Sequence, residues 1–502
     1  MANTQISTGA IHLGTRGLNT RPTGTQGGHF HIAILGDFSG RGSRGDLSLN
    51  TCTPIAIDRD NFAEVFAALR VRLQLPFCES PLEFADLDEL HPDFLLGNLA
   101  LCERFKVLKN RLKKPELFAA AAAELQAMGV KGTADAQAAT RPTEPRQAPE
   151  NLLESIFASM PSAAQQASPL GDVDQFIKQL VAPYAQTKSE PRLPDLLAAV
   201  DEATSQTLRG ILHQSAFQTL EANWRSLYFL VRRLNTNTRL KIFIIDASQA
   251  ALVQDAKQQP DPTQTALYKL LVTHYQTPGK IAFSCLQANW ELNDNLDDLN
   301  LAANMALIAG SLGAISLLGG SEKLAGCAAL STQPDAADWN YIPNPEFSAA
   351  WQAFRASELS RHLAVVAPKF LLRLPYGKKT SPIDTFDFTE LPANHPNNYY
   401  LWGNSASLVS LVLGENFLQF GTGFSTRIAS QIDDLPMHVY TQDGVSHITP
   451  CAEIAILDSA AKRFTQAGLL VVRSIHNQNA VLIPALHSAA ENGELILSGG
   501  EG

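Results

Sequence analysis

A chain of 502 residues exceeds what one hydrophobic core usually organises, so two or three domains are expected. With 45% hydrophobic and 18% charged residues it reads as a folded globular protein in which disorder is only local. The formal charge of -10, from 39 basic and 49 acidic residues, comes without a long basic run, which argues against nucleic acid as a partner.

Residues 1–28 are polar and glycine-rich, a flexible start without the basic patch and apolar stretch of an export signal, which points to the cytoplasm. His29 to Gly40 (HFHIAILGDFSG) reads as a buried strand, because Ile32 to Leu35 form a short apolar run closed by glycines. Ile57 to Leu69 carries an aspartate cap candidate and apolar residues at helical spacing. Helices follow within Phe84 to Leu112, and an alanine-rich helix within Glu116 to Met128.

Composition then shifts to Gly, Thr, Pro, Ala and Gln over Lys131 to Pro149, which makes 131–150 the clearest interdomain linker. Beyond it, Leu152, Leu153, Ile156 and Phe157 form one face of a short helix, and a polar stretch runs to 172. Helical spacing recurs from Val173 to Leu234. After it, KIFIIDAS (Lys241 to Ser248) is a strand, IAFSCLQ a strand, LAANMALIA a helix and FLLRLP a strand.

The uncharged tract Leu301 to Gly319 raises the question of a membrane span, but Asn304, Gly310, Ser311, Gly313 and Ser316 dilute it and no anchors flank it. A buried helix through Ala309 and a core strand around Ala314 to Leu318 explain the same letters. The fold class expected is α/β, with α+β mixing: a multidomain arrangement of mixed sheets flanked by helices.

Chemistry is sparse. Six scattered cysteines form no Cys-x-x-Cys pair and read as reduced, mostly buried thiols. The glycines of Gly36 to Gly45 lack the Gly-Lys-Ser/Thr of a phosphate loop. His29 and His31 share a strand face but have no third ligand nearby. Ser405 lacks the flanks of a nucleophile, and the pairs Asp86/Asp88 and Asp433/Asp434 read as solvated turns. No enzyme and no cofactor is expected, and function is assigned to surfaces.

The motifs ILGDFSG, IDRDNF and EFADLDELHPDFL, in that order, resemble the small sheath subunit of bacterial type VI secretion, TssB (VipA). In the second part, ILHQSAFQTLEANWRSLYFLV with Trp224 and Arg225, Trp351 to Gly377 with Arg355, Glu358, Arg361 and Arg373, YYLWGNSA with Trp402, and DLPMHVY resemble the large subunit, TssC (VipB). The resemblance implies a TssB-like domain over 29–130, then a TssC-like region over 173–450 and the start of its C-terminal domain over 451–502. Trp224, Trp351 and Trp402 are expected as core anchors. Arg225, Arg355, Glu358, Arg361 and Arg373 are expected in buried ion pairs that fix orientation.

The family forms a contractile sheath around an inner tube, so the implied partners are other sheath subunits or further copies of this chain, an Hcp-like tube protein and baseplate proteins. The unfoldase ClpV, an AAA+ protein, recognises a short helix near the start of the large subunit, and the 151–172 segment, through Leu152, Leu153 and Ile156, stands at that position. Past Pro450 to Ser459 and AGLLVV, the family continues into a helical tail and an interlocking strand, whereas here the sequence stops at Gly502. Two expectations follow: a fused sheath subunit, with ELILSGG as a substitute strand, or a non-polymerising sheath-like adaptor, cap or regulator.

Overall fold

The computed structural model describes residues 28–76, 78, 80–130, 193–273, 282–392, 397–421, 426, 429–442 and 444–496, and the backbone of 5–8 and 11–14. The expected linker at 131–150 and the 151–172 segment with Leu152, Leu153 and Ile156 lie outside the described residues. Within the start read as flexible, Gln5–Thr8 and Ile11–Gly14 pair as antiparallel strands.

The centre is a sheet of seven strands: β1 (Phe30–Gly36), β2 (Ile55–Ile57), β3 (Leu240–Asp246), β4 (Cys285–Leu292), β5 (Ile315–Gly320), β6 (Leu363–Ala367) and β7 (Leu469–Val471), in the spatial order β7-β6-β5-β4-β1-β3-β2. Every neighbouring pair is parallel except β2 against β3. β1 is apolar on both faces, and such a strand is stable only where both faces are covered. It lies between β3 and β4, in register from Phe30 opposite Leu240 to Gly36 opposite Asp246. The first part therefore does not close this sheet alone; its strand completes a sheet whose other long strands follow residue 193.

Alternation along the strands sorts two cores. Ile32, Ile34, Ile242 and Ile244 face one layer with Trp224, Leu408 and Phe417, while Ala33, Leu35, Phe243 and Ile245 face another with Leu299, Met305, Phe347 and Phe354. Helices thus cover both faces. On the first side are α1 (Phe62–Ala68), α6 (Ser215–Arg233) and α10 (Ala406–Phe420). On the second are α7 (Gln249–Gln258), α8 (Leu296–Leu312), α9 (Pro345–Arg355) and α11 (Asp458–Gln466). Between α1 and α6 come α2 (Pro92–Asn98), α3 (Ala100–Leu112), α4 (Pro115–Val130) and α5 (Leu193–Leu212). In a third cluster Phe105, Leu108 and Leu125 from α3 and α4 pack on Leu196 and Val200 of α5, and Lys109 pairs with Asp201.

Local chemistry explains the element ends. Before α1, the Asp58 carboxylate accepts the Asp60 and Asn61 N–H groups at 2.9 and 3.1 Å, so it builds the turn into the helix and does not cap it as expected. Asn295 caps α8 through the Asp298 N–H at 2.9 Å, and Gly313, at φ +66°, ends it. β5 follows, buried at every position. The apolar tract is thus a helix and a core strand, and no helix among the described residues is long and apolar enough to cross a membrane.

Three readings shift. The strand expected at IAFSCLQ starts later, at Cys285, and FLLRLP contributes only Phe370–Leu371, paired with Trp402–Gly403. The strand at Leu363–Ala367, not singled out from sequence, is the buried β6. The described residues of ELILSGG, 494–496, form no strand.

Candidate functional site

Beyond the shared sheet, the two parts of the chain also meet at α6. Its sequence places Phe217, Leu220, Trp224, Leu227 and Leu230 on one buried stripe. Trp224 is fully buried, and its indole Nε1 donates to the Phe38 carbonyl at 2.7 Å. Phe38, Phe62 and Phe66, all from the first part, ring it with centroids at 5.4, 5.6 and 4.3 Å. Asn223 Nδ2 donates to the neighbouring Asp37 carbonyl at 3.0 Å. A buried indole with its N–H satisfied binds by area and by direction at once.

One turn away α6 presents Glu221 into a buried ion network. Arg225 Nε reaches Glu221 Oε1 at 2.6 Å and Arg373 Nε the same oxygen at 2.8 Å. Arg373 turns its other nitrogens to Glu390, with Nη1 to Oε2 at 2.8 Å and Nη2 to Oε1 at 3.0 Å. Glu390 also accepts the Tyr376 N–H at 2.7 Å, and His213 Nε2 lies 3.4 Å from its Oε1. The Arg373 guanidinium stacks over the Tyr376 ring, and His213 stacks on Tyr399.

The network is dry: the Glu221, Glu390 and Arg373 side chains are 0%, 1% and 9% exposed. Burial opposes the charge on each acid. Arg373 and Arg225 nevertheless hold Glu221 below the usual carboxylate range, and Arg373 with His213 holds Glu390 at about 2. Burial, seconded by Arg373 and Arg209, lowers His213 against the pull of Glu390. The arrangement has one centre, an arginine clamped between two acids, and no group poised to attack a substrate. Its chemical capacity is orientation: it ties α6 to the 373–376 and 390 segments.

The remaining expected residues fall elsewhere. Trp351 is buried, donates Nε1 to the Ala467 carbonyl at 3.0 Å and stacks between Phe347 and Phe354. Arg355 is not in an ion-pair cluster. It donates to the Ala489 and Gln466 carbonyls, both at 2.9 Å, tying the end of α11 to the 489 segment, and burial lowers its pKa. Glu358 is 77% exposed and meets the half-buried Arg361 at 2.8 Å in a surface pair, and Arg361 also lies 3.4 Å from the exposed Glu494. Trp402 is half-buried and donates to the Asn397 carbonyl at 2.9 Å.

Glu390, His213 and Tyr376 were missed in the sequence; a buried arginine in RLPY, which demands an acid partner, was the one available signal. The other candidates gather no site. His29 and His31 stack at 5.9 Å, each Nδ1 3.0 Å from a backbone carbonyl, and no group suited to a metal ion occurs among the described residues. In the glycine-rich loop, Arg41 is buried and bonds Asp46 at 3.0 Å and the Asp246 carbonyl at 2.8 Å. Gly40, at φ +73°, lies so near the Arg72 carbonyl that a Cβ would stand 2.1 Å from it, which is a packing demand. Ser405 is buried with its hydroxyl on the Pro368 carbonyl. All six cysteines are free thiols.

A family model described as the VipB (EvpB/VC_A0108) tail sheath N-terminal domain matches residues 195–490. The chain is also 29% identical over 297 residues to the type VI secretion system sheath protein TssC1 of Pseudomonas aeruginosa, an alignment covering 57% of this chain and 59% of that protein. It thus spans about six-tenths of the length of that curated relative. The matched stretch holds Trp224 and the whole ion network, whereas the strand and rings that Trp224 grips precede it.

Proposed function

Because the chain belongs to the VipB-type tail sheath N-terminal domain family, we propose that it is a structural subunit of a type VI secretion contractile sheath, with residues 29–130 in the role of the small subunit. The observation that carries the second half of this reading is the place of β1: a strand outside the family match fills the middle of the family domain's sheet. Such a strand is the piece a separate small subunit would otherwise supply, and one chain fixes the ratio of the two at one to one. The ion network supports a mechanical role, since a sheath subunit must hold its helices in register under load.

The partners that follow are further copies of the chain or other sheath subunits, an inner tube protein and baseplate proteins, and the place of action is the cytoplasm. The segment with Leu152, Leu153 and Ile156 is the proposed handle for a ClpV-type unfoldase. Replacing all three by alanine abolishes capture by that unfoldase while leaving assembly intact; undiminished capture removes this part of the proposal. Assembly itself is tested by negative-stain electron microscopy of the purified chain, alone and with the tube protein. Tubes are the expected result, and discrete particles under both conditions overturn the sheath reading in favour of an adaptor.

A further inference from the structure

A cavity of about 410 Å³ opens beside the carboxyl end of β4 and is walled by α6, β4 and the 398–404 segment. The chain leaves β1 towards the β3 and β2 side of the sheet and leaves β4 towards β5, so these adjacent strands form a topological switch point. Ligand sites of parallel α/β sheets lie in the crevice beyond such strand ends. Asn223 of α6, packed against Gly36 at the end of β1, and Asn289 on β4 bring the cavity to that crevice. Its volume falls in the size class of small-molecule sites.

The wall chemistry narrows the ligand. Lys369 and Glu291 are the charged groups lining it, and they pair at 3.3 Å, so the wall carries no net charge. An anion meets a lysine already compensated and further crowded by Glu453 and Glu322. A cation finds no unpaired carboxylate on the wall. An apolar ligand would strand amides and hydroxyls, among them Thr219, Ser226 and Asn289, whose Nδ2 is buried without a hydrogen-bond partner. What remains is a neutral molecule rich in groups that both donate and accept. Trp402 adds a ring surface suited to the C–H face of such a molecule.

We propose that this cavity binds a small neutral polyhydroxy compound of mono- to disaccharide size, with Asn289 and the Lys369–Glu291 pair addressing its hydroxyls and Trp402 its ring. The test is saturation-transfer NMR on the full chain with glucose, galactose, N-acetylglucosamine and maltose, and with glycylglycinamide as a peptide arm. At least one sugar is expected to receive saturation on its ring protons. Ala222→Phe, which fills the cavity from the surface of α6, weakens that binding about tenfold or more without changing the thermal midpoint. Thr219→Leu serves as a second filling variant should the first disturb folding. No transfer to any sugar, transfer to glycylglycinamide alone, or equal transfer in wild type and both folded variants overturns the assignment.

Discussion

Arg373 and Arg361 each hold a glutamate oxygen at 2.8 Å, twelve positions apart in one stretch of chain, yet the two pairs are different objects. Around Arg373 the partner Glu221 is 0% exposed, whereas the Glu358 partner of Arg361 is 77% exposed. Distance alone does not rank an ion pair. What ranks it is the charge left behind when one partner goes: a buried acid has no water to turn to, while a surface acid has all it needs.

The sharpest way to break this comparison is Arg373→Met. It takes from Glu390 its arginine, while Glu221 keeps Arg225, and the buried acid left uncompensated costs about 3–5 kcal/mol, read as a shift of the urea midpoint. The double change Arg373→Met, Glu390→Gln recovers much of that loss, because the uncompensated charge is gone while Glu221 keeps Arg225. A loss below about 1 kcal/mol for the single change would show that the network is solvated. Because Glu390 ionises at about 2 when folded, against an ordinary value of 4.5, its contribution is complete above pH 4.5 and fades as pH falls from there towards 2.

Trp224→Phe comes next. It keeps most of the ring but strands the Phe38 carbonyl, at a cost of about 1–3 kcal/mol. Hydrogen exchange should then quicken in residues 30–38 and 62–66 more than in α8; uniform quickening would contradict a seat specific to the first part.

Glu453 supplies a smaller effect of opposite sign. Burial, with Glu322 and Glu291 close by, pushes it up to about 7 despite Lys369. A carboxyl raised in the folded state favours folding most below its ordinary 4.5, and that contribution is lost as pH rises through 7. Glu453→Gln therefore raises the urea midpoint at pH 8, by about 1–2 kcal/mol of stability, and changes nothing at pH 4. The smallest effect is Arg361→Ala, within about 1 kcal/mol at any salt concentration.

How far the sequence could take one depends on the range of the interaction. The apolar run of β1 and the stripe of α6 are local patterns, and both elements stand where those patterns place them. The weak membrane signal of 301–319 dissolved into a helix and strand because Asn295, ahead of the tract, caps the helix and Gly313, within it, ends the helix. Long-range pairing was not legible. Nothing in ILGDFSG says that its strand lies between two strands more than two hundred residues later. Glu390, in DTFDFTELP, looks like one more loop acid, and only Arg373 and the Tyr376 N–H make it a buried one. Arg355 and Arg361 shared a motif with Arg373, and a motif does not distinguish an arginine that meets carbonyls or exposed acids from one that meets buried acids.

The two parts of the chain share one sheet, and cutting the connection between them tests that most directly. A protease site introduced within residues 131–192 would be cleaved in the folded protein and the product run on size exclusion under native conditions. The two fragments are expected to co-elute and to part only in denaturant, with Trp224→Phe parting at a lower concentration. Separation of the wild-type fragments in native buffer would contradict the shared sheet.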